Sequence, residues 1–342
     1  MEKQELSINR SSVETPRSTS DKKTETKQQK RNFFFHILNN KVLIALILLC
    51  VFFSVTTEQF LRVDNILNIF LQSAIMGIVA IGMTYVIITA GIDLGVGSVV
   101  AVAGIIMAGM VSKGMPILLT ILVGLLIGVA SGAINGYFIT KFNMAPFIVT
   151  LGMMAAARSI TLVYSDAQTI SVYGDPFLKF LRMGEVAGIP IMIIITVLMF
   201  ILAHYILSNT VFGRHVYAVG SNKKAAELSG INVKRVEMMV YIIAGTMAGL
   251  GGLMMTARLG SGTPLAGTNL ELMAIAAVVI GGTSLSGGRG TIFGTLIGVL
   301  LINVLNTGMN LLNISSHYQG LIMGGVIILA ALIDSFSNKK SK

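Results

Sequence analysis

The sequence predicts an all-α integral membrane protein with about ten transmembrane helices, some of them short or broken. Hydrophobic residues make up 54% of its 342 residues and charged residues only 12%, whereas a soluble domain carries roughly 25% charged residues. The apolar stretches approach the length of about 20 residues that a spanning helix needs. They are too long and too continuous for the strands of an outer-membrane barrel.

The chain begins with a polar tail, residues 1–40, which is predicted to be disordered. Lys, Glu, Ser, Thr and Gln dominate most of it, and such a composition buries too little apolar area to offset chain entropy. A cleaved signal peptide is not expected, because the polar lead is too long and no A-x-A-like site follows the first apolar stretch. A transmembrane domain, residues 41–336, and a short C-terminal tail, residues 337–342, complete the predicted organisation.

Ten apolar segments are predicted to be the spans. They lie near residues 42–56, 68–90, 98–112, 117–138, 147–164, 190–207, 236–257, 270–283, 291–308 and 317–334. Those near 98–112 and 270–283 are short and interrupted by glycine, so broken or half-crossing helices are expected there.

Lysine and arginine collect in the N-terminal tail, in the loop 208–235 and at the C-terminus. Because cytoplasmic loops of membrane proteins carry an excess of these residues, all three regions are predicted to be cytoplasmic. The span count agrees, since six segments separate the tail from the loop and four separate the loop from the C-terminus. The expected location is the plasma membrane.

Motifs of enzymes are absent from the sequence. There is no G-x-x-x-x-G-K-[ST] loop for ATP and no G-x-S-x-G turn, so no catalytic residue is predicted. The four histidines are scattered and the single cysteine, Cys50, excludes a cysteine-based metal site. Neither a metal nor a cofactor is therefore expected in this chain. The net charge of +10 sits in the tail and loops, which does not favour nucleic acid as a partner.

Two glycine-rich stretches, Ala90–Gly97 and Gly281–Gly288, predict sharp bends between spans. The expected structural glycines are Gly91, Gly95, Gly97, Gly281, Gly282, Gly287 and Gly288. The two stretches align without gaps. This indicates either an internal duplication of the kind found in transporters or two convergent turns.

A few polar residues lie in or beside the apolar segments. The candidates for a translocation pathway are Asp93, Asn135, Ser284, Asn303, Asn306 and Asn310. Asp93 can instead cap the helix that follows it, and the three asparagines of the last group, which share one helix face, can instead hold helices together. Glu271 is the other acidic residue expected inside the membrane, where a buried charge is costly.

The loop 208–235 contains a short predicted helix from Lys223 to Ser229. Ser221 or Asn222 is expected to cap its beginning, and Gly230 is expected to end it. The helix is either a surface connector or a docking element for a cytoplasmic partner. The residues predicted to contact such a partner are Asn222, Lys223, Lys224, Ala225, Ala226, Gly230 and Ile231.

Four stretches give the chain a recognisable pattern. They are GMTYVIITAGIDLGVGS (82–98), FGRHVYAVGSNKKAAELSGINVKRV (212–236), AAVVIGGTSLSGGRGTIFGTLIG (276–298) and LNTGMNLLNISSHYQGLI (305–322). With them the chain resembles the permease subunits of bacterial ABC importers for monosaccharides, the ribose/xylose/allose type. The long polar N-terminal tail departs from that pattern.

The resemblance implies a sugar pathway, ribose being the first candidate, between two copies of the chain. It implies a tandem ATPase subunit, which holds ATP and Mg, pressing on the helix around Asn222–Gly230. A periplasmic or lipid-anchored binding protein would deliver the sugar. Two alternatives stay open: an ion-coupled secondary carrier that uses Asp93 or Glu271, and a membrane scaffold or receptor that transports nothing.

Overall fold

The computed structural model describes residues 41–339, which form a bundle of helices with four very short strands. In chain order the helices are α1 (Lys41–Thr56), α2 (Val63–Ile88), α3 (Val96–Ser112), α4 (Ile117–Phe142), α5 (Pro146–Ser165), α6 (Pro176–Met183), α7 (Ile191–Asn209), α8 (Val211–Ser221), α9 (Lys223–Leu228), α10 (Val233–Leu259), α11 (Leu270–Ile280), α12 (Ile292–Leu311) and α13 (Ser316–Lys339). The strands are β1 (Ile170–Ser171), β2 (Glu185–Val186), β3 (Ile189–Pro190) and β4 (Ser261–Gly262). The disordered tail predicted for residues 1–40 lies outside the described residues.

The prediction of an all-α membrane protein is confirmed. Six helices, α2, α4, α5, α7, α10 and α12, are long and apolar enough to cross a bilayer. The helices α1, α3 and α11 and the stretch His317–Leu329 of α13 are apolar but shorter. Among the described residues, length and composition thus give six helices able to cross a membrane, and the count of ten stays a prediction.

The two segments expected to be short or broken differ from each other. The first is a continuous helix, α3, of 17 residues. The second, α11, has only 11 residues and ends at Ile280 rather than near residue 283. At 1.5 Å per residue, α11 covers about 16 Å, roughly half of the 30 Å hydrocarbon core. The expectation of a half-crossing helix thus fits α11.

Helix α10 is at the centre of the bundle, packed against α2, α3 and α4. Glycines make its approach to α4 very close. A side chain at Gly245 would collide with the carbonyl oxygen of Gly128, and one at Gly132 would collide with the carbonyl oxygen of Tyr241. Small residues that let two backbones approach are the usual means of helix packing in lipid, where apolar side chains gain little by associating.

The outer faces of the peripheral helices are apolar and exposed. Leu118 on α4 is 77% exposed and Leu198 on α7 is 58% exposed. A soluble monomer rarely exposes so much contiguous apolar surface. Lipid chains are the natural neighbours of these faces.

One of the two strand pairs joins distant loops at one end of the bundle. β1, which follows α5, pairs antiparallel with β4, which follows α10, so that Ile170 lies opposite Gly262. Between β1 and α7, Asp175 caps α6 by accepting a hydrogen bond of 2.8 Å from the backbone N–H of Leu178. These contacts tie the long segment between α5 and α7 to the end of α10 that is remote from α9.

Candidate functional site

A pair of short helices, α8 and α9, lies between the long helices α7 and α10. The side-chain oxygen of Asn222 accepts a hydrogen bond of 3.0 Å from the backbone N–H of Ala225, which caps α9. Gly230 has φ +83° and follows the end of α9. The predicted helix is therefore present, with Asn222 rather than Ser221 as its cap and with its last residue at Leu228 instead of Ser229.

One face of α9 packs on the bundle and the rest is open. Ala226 is buried, and its carbonyl oxygen accepts a hydrogen bond of 3.0 Å from the N–H of Ile231. Lys224 and Ala225 are exposed. Leu228 is 83% exposed, although nothing in the sequence pattern had singled it out. An apolar side chain held out into solvent at the end of a capped helix is available to a partner.

An ion pair fixes α9 to the central helix α10. The Nζ atom of Lys223 lies 2.5 Å from Oε1 of Glu237, and the Glu237 side chain is largely buried in the second turn of α10. The sequence-based prediction included Lys223 but missed Glu237, because only the fold shows that the two residues meet. The ion pair thereby links α9 directly to α10.

The helix α8 packs against the two glycine-rich bends. The Tyr217 hydroxyl donates a hydrogen bond of 2.7 Å to the carbonyl oxygen of Gly290, and burial raises the pKa of Tyr217 above its ordinary value. A side chain at Gly220 would collide with the carbonyl oxygen of Ile88. That same carbonyl accepts a hydrogen bond of 2.9 Å from the N–H of Gly288, so both bends meet below α8.

The two aligned bends share a local contact. Asp93 Oδ1 accepts a hydrogen bond of 2.8 Å from the N–H of Gly95, two residues on. In the aligned position, Ser284 Oγ accepts one of 3.3 Å from the N–H of Ser286, again two residues on. The backbones differ beyond this contact, because Val96 and Gly97 are helical whereas the aligned Gly287 and Gly288 have positive φ angles. The choice between an internal duplication and convergent turns therefore stays open.

The structural glycines serve these bends in two ways. Gly282, Gly287 and Gly288 have positive φ angles, a conformation that residues with a Cβ atom rarely adopt. The others, Gly91, Gly95, Gly97 and Gly281, have neighbours where a Cβ would stand. For Gly97 those neighbours are the Glu271 carboxylate and the carbonyl of Gly267.

Asp93 lies inside the chain, where it is only 2% exposed. The Asn135 amide and the N–H of Val96, the first residue of α3, also donate toward its carboxylate. Asp93 therefore holds the beginning of α3 and links it to α4. This arrangement agrees with the interpretation of Asp93 as a capping residue, and it brings two of the candidate pathway residues together.

The candidate asparagines of α12 are not gathered around Asp93. Asn303 is buried, and its amide donates to the carbonyl oxygen of Val299 in its own helix at 2.9 Å. Asn306 is partly buried. Asn310 is exposed and accepts a hydrogen bond of 2.8 Å from Gln319. The role of these asparagines in a pathway stays a prediction. The hydrogen bonds of Asn303 and Asn310 support a structural role within the bundle instead.

A large cavity of about 570 Å³ opens between α2, α7 and α12. Its walls are mostly aliphatic and aromatic, with Phe70, Phe200 and Phe293 among them. A site for a polar ligand needs several convergent hydrogen-bonding groups. This cavity faces the apolar surroundings and does not have the character of such a site.

Comparison with known proteins gives one family and close relatives. The family described as branched-chain amino acid transport system / permease component matches residues 65–331. The chain is 46% identical over 307 residues to the ribose import permease protein RbsC of Haemophilus influenzae, covering 89% of this chain and 95% of the relative. It is 47% identical over 316 residues to RbsC of Bacillus subtilis (91% and 98%) and 40% identical over 315 residues to the D-allose transport system permease protein AlsC of Escherichia coli (91% and 96%). No solved structure matches it.

Proposed function

Because the chain belongs to this family of transport permeases, we propose that it is the membrane-spanning subunit of an ABC importer for ribose or a closely related monosaccharide. The observation that carries this function is the identity of 46% and 47% with two ribose import permeases over nearly their whole length. Relatives named for allose and xylose set the wider substrate class. The subunit is a transport component of the inner membrane rather than an enzyme.

The energy for transport comes from a separate tandem ATPase, which holds ATP and Mg and docks on α9. The exposed residues Lys224, Ala225 and Leu228 support this assignment, because they form a surface that the chain itself leaves uncovered. The Lys223–Glu237 ion pair supports it further. Since α10 is packed at the centre of the bundle, a displacement of α9 moves the core of the permease rather than a loose loop.

The proposed topology has ten crossings with both termini in the cytoplasm. The apolar character of the shorter helices α1, α3, α11 and α13 supports the additional crossings, and the residues before α11 complete the crossing that its 11 residues are too short to make alone. The lysines and arginines of the loop 208–235 support its cytoplasmic position. With α9 inside, the segment 166–190 between α5 and α7 faces outward, where a sugar-binding protein delivers its ligand.

The functional unit contains two copies of the chain with the sugar pathway between them. Four of the candidate pathway residues are buried inside one copy, so a single chain has no open channel lined by them. They are Asp93, Asn135, Ser284 and Asn303. A pathway bounded by two copies needs only one polar face from each. Movement of α9 and α10 in both copies then exposes this pathway alternately to the two sides.

The test is uptake of labelled ribose by right-side-out vesicles that contain the permease, its ATPase and its binding protein. Uptake is expected to need ATP inside the vesicles and to persist when ionophores collapse the proton and sodium gradients. Vesicles without the ATPase are the control and should show only background uptake. Uptake that stops with the gradients and continues without the ATPase would establish the ion-coupled carrier instead.

A further inference from the structure

The segment 263–269, here called the re-entrant segment, runs through the bundle without regular secondary structure. It begins after β4, where Gly262 lies against Ile105 and Ala108 of α3. It ends where Gly267 lies against Gly97, in the first turn of the same helix. Ile105 and Gly97 are eight residues apart, or about 12 Å along a helix. The segment therefore descends well into the depth of the membrane.

Side chains from α5 satisfy the backbone of this segment. Arg158 Nη1 donates hydrogen bonds of 2.6 Å and 3.0 Å to the carbonyl oxygens of Pro264 and Ala266. Thr161 Oγ1 donates one of 3.1 Å to the same Pro264 oxygen. Each unpaired backbone group in hydrocarbon costs several kcal/mol. These hydrogen bonds to backbone carbonyl oxygens explain why the apolar helix α5 carries the Arg158 guanidinium near its middle.

The other side of the re-entrant segment is open. Thr268 and Asn269 are exposed, as is Leu265. On α5, Ser159 is exposed next to Arg158. Irregular backbone at membrane depth is tolerated where it is covered by protein or lines a water-filled cavity, but not against lipid. The open side of this irregular backbone, with Thr268 and Asn269 on it, therefore borders water or a second copy of the chain.

A buried carboxylate provides an independent sign of a polar environment. Glu271, in the first turn of α11, is 8% exposed, and no described residue hydrogen-bonds to its Oε2 atom. Its charge and that of Arg158 interact. Acidic groups inside a membrane protein mark substrate or ion pathways. Since the two charges offset each other, the wall as a whole suits a neutral ligand.

We propose that the re-entrant segment and the adjoining face of α5 form the sugar-binding wall of the pathway, with Thr268, Asn269 and Ser159 as the side chains that hydrogen-bond the sugar. The ligand class is a neutral polyhydroxylated molecule, which needs alternating donors and acceptors without net charge. Hydroxyl and amide groups supply both. This inference rests on the proposed function, because it identifies the face through which that sugar passes.

Thiol reactivity tests this wall. In a Cys50→Ser background, Thr268→Cys and Ser159→Cys are reacted with a charged methanethiosulfonate reagent in the assembled importer. The thiolate, which forms in water and not in hydrocarbon, attacks the reagent, forms a mixed disulfide and displaces methanesulfinate. Both variants are expected to react at least tenfold faster than Leu198→Cys, a control on the exposed apolar face of α7, and ribose is expected to slow them. Rates equal to that of the control, in an importer that retains ATP-driven uptake, would overturn the wall and leave the proposed function standing.

A second variant keeps the test independent of the cysteines. Asn269 has φ +64°, which glycine adopts without strain, so Asn269→Gly removes the amide and preserves the backbone. We expect a severalfold higher KM for ribose uptake with unchanged binding of the ATPase. An unchanged KM would show that the Asn269 amide does not contact the sugar.

Discussion

Replacing Gly245 by leucine is expected to prevent the permease from folding. A side chain at this position would run into the carbonyl oxygen of Gly128 and would lie 3.0 Å from the Cα atom of Gly132. These are backbone atoms of α4, which cannot move aside as a flexible side chain can. Separating α4 from α10 would open the most closely packed contact of the central helix, at a cost above the 1–3 kcal/mol typical of overpacking. The measurement is the yield and thermal stability of the purified protein in detergent.

Gly325→Leu is the matched control, since it makes the same change within helix α13. No described atom outside that helix lies within 4 Å of a Cβ placed on Gly325. This variant should retain the stability of the natural chain. A Gly245→Leu protein as stable as the Gly325→Leu protein would contradict the close packing of α4 on α10.

The helical architecture could be predicted from composition and from the length of the apolar stretches, because both depend on the bilayer as solvent. The close contact between Gly245 and Gly128 could not, since neither glycine has a local signal that identifies its neighbour. The half-length of α11 was foreseen from glycine interruptions. The re-entrant segment was not, because its descent beside α3 is visible only in the packed structure.

Replacing Leu228 by aspartate is expected to abolish ATP-driven uptake without harming the fold. The side chain is 83% exposed in the chain alone, so the substitution removes almost no intramolecular contact. Full burial of a leucine at an interface is worth about 1.5–3 kcal/mol. Loss of that burial, with a charge added, predicts at least a 10-fold weaker affinity for the ATPase at 1.4 kcal/mol per factor of ten. The affinity is measured by titrating the purified permease with the ATPase.

The conservative variant Leu228→Met is the control for this prediction. It keeps an apolar side chain of similar volume and should bind the ATPase nearly as well as the natural chain. Equal affinity of the aspartate and methionine variants would remove Leu228 from the docking surface. The stability of both variants should match that of the unaltered protein, since Leu228 does not contribute to the core.

The local shape of α9 followed from the sequence, whereas its surroundings did not. Asn222 and Gly230 carry local signals, a cap and a left-handed turn, that act within a few residues. Glu237 is distant along the chain from any such signal and meets Lys223 only because α10 folds back beside α9. The same holds for Arg158, whose carbonyl partners come from a loop more than a hundred residues away.

The most direct test of the central claim is the position of α9 relative to the membrane and to the ATPase. Lys224→Cys, in a Cys50→Ser background, places one thiol on the exposed side of this helix. We expect an impermeant thiol reagent to label it in inside-out vesicles, to leave it unlabelled in intact cells, and to be blocked when the ATPase is bound. Labelling in intact cells, or labelling in inside-out vesicles that the ATPase does not reduce, would contradict an importer driven through α9.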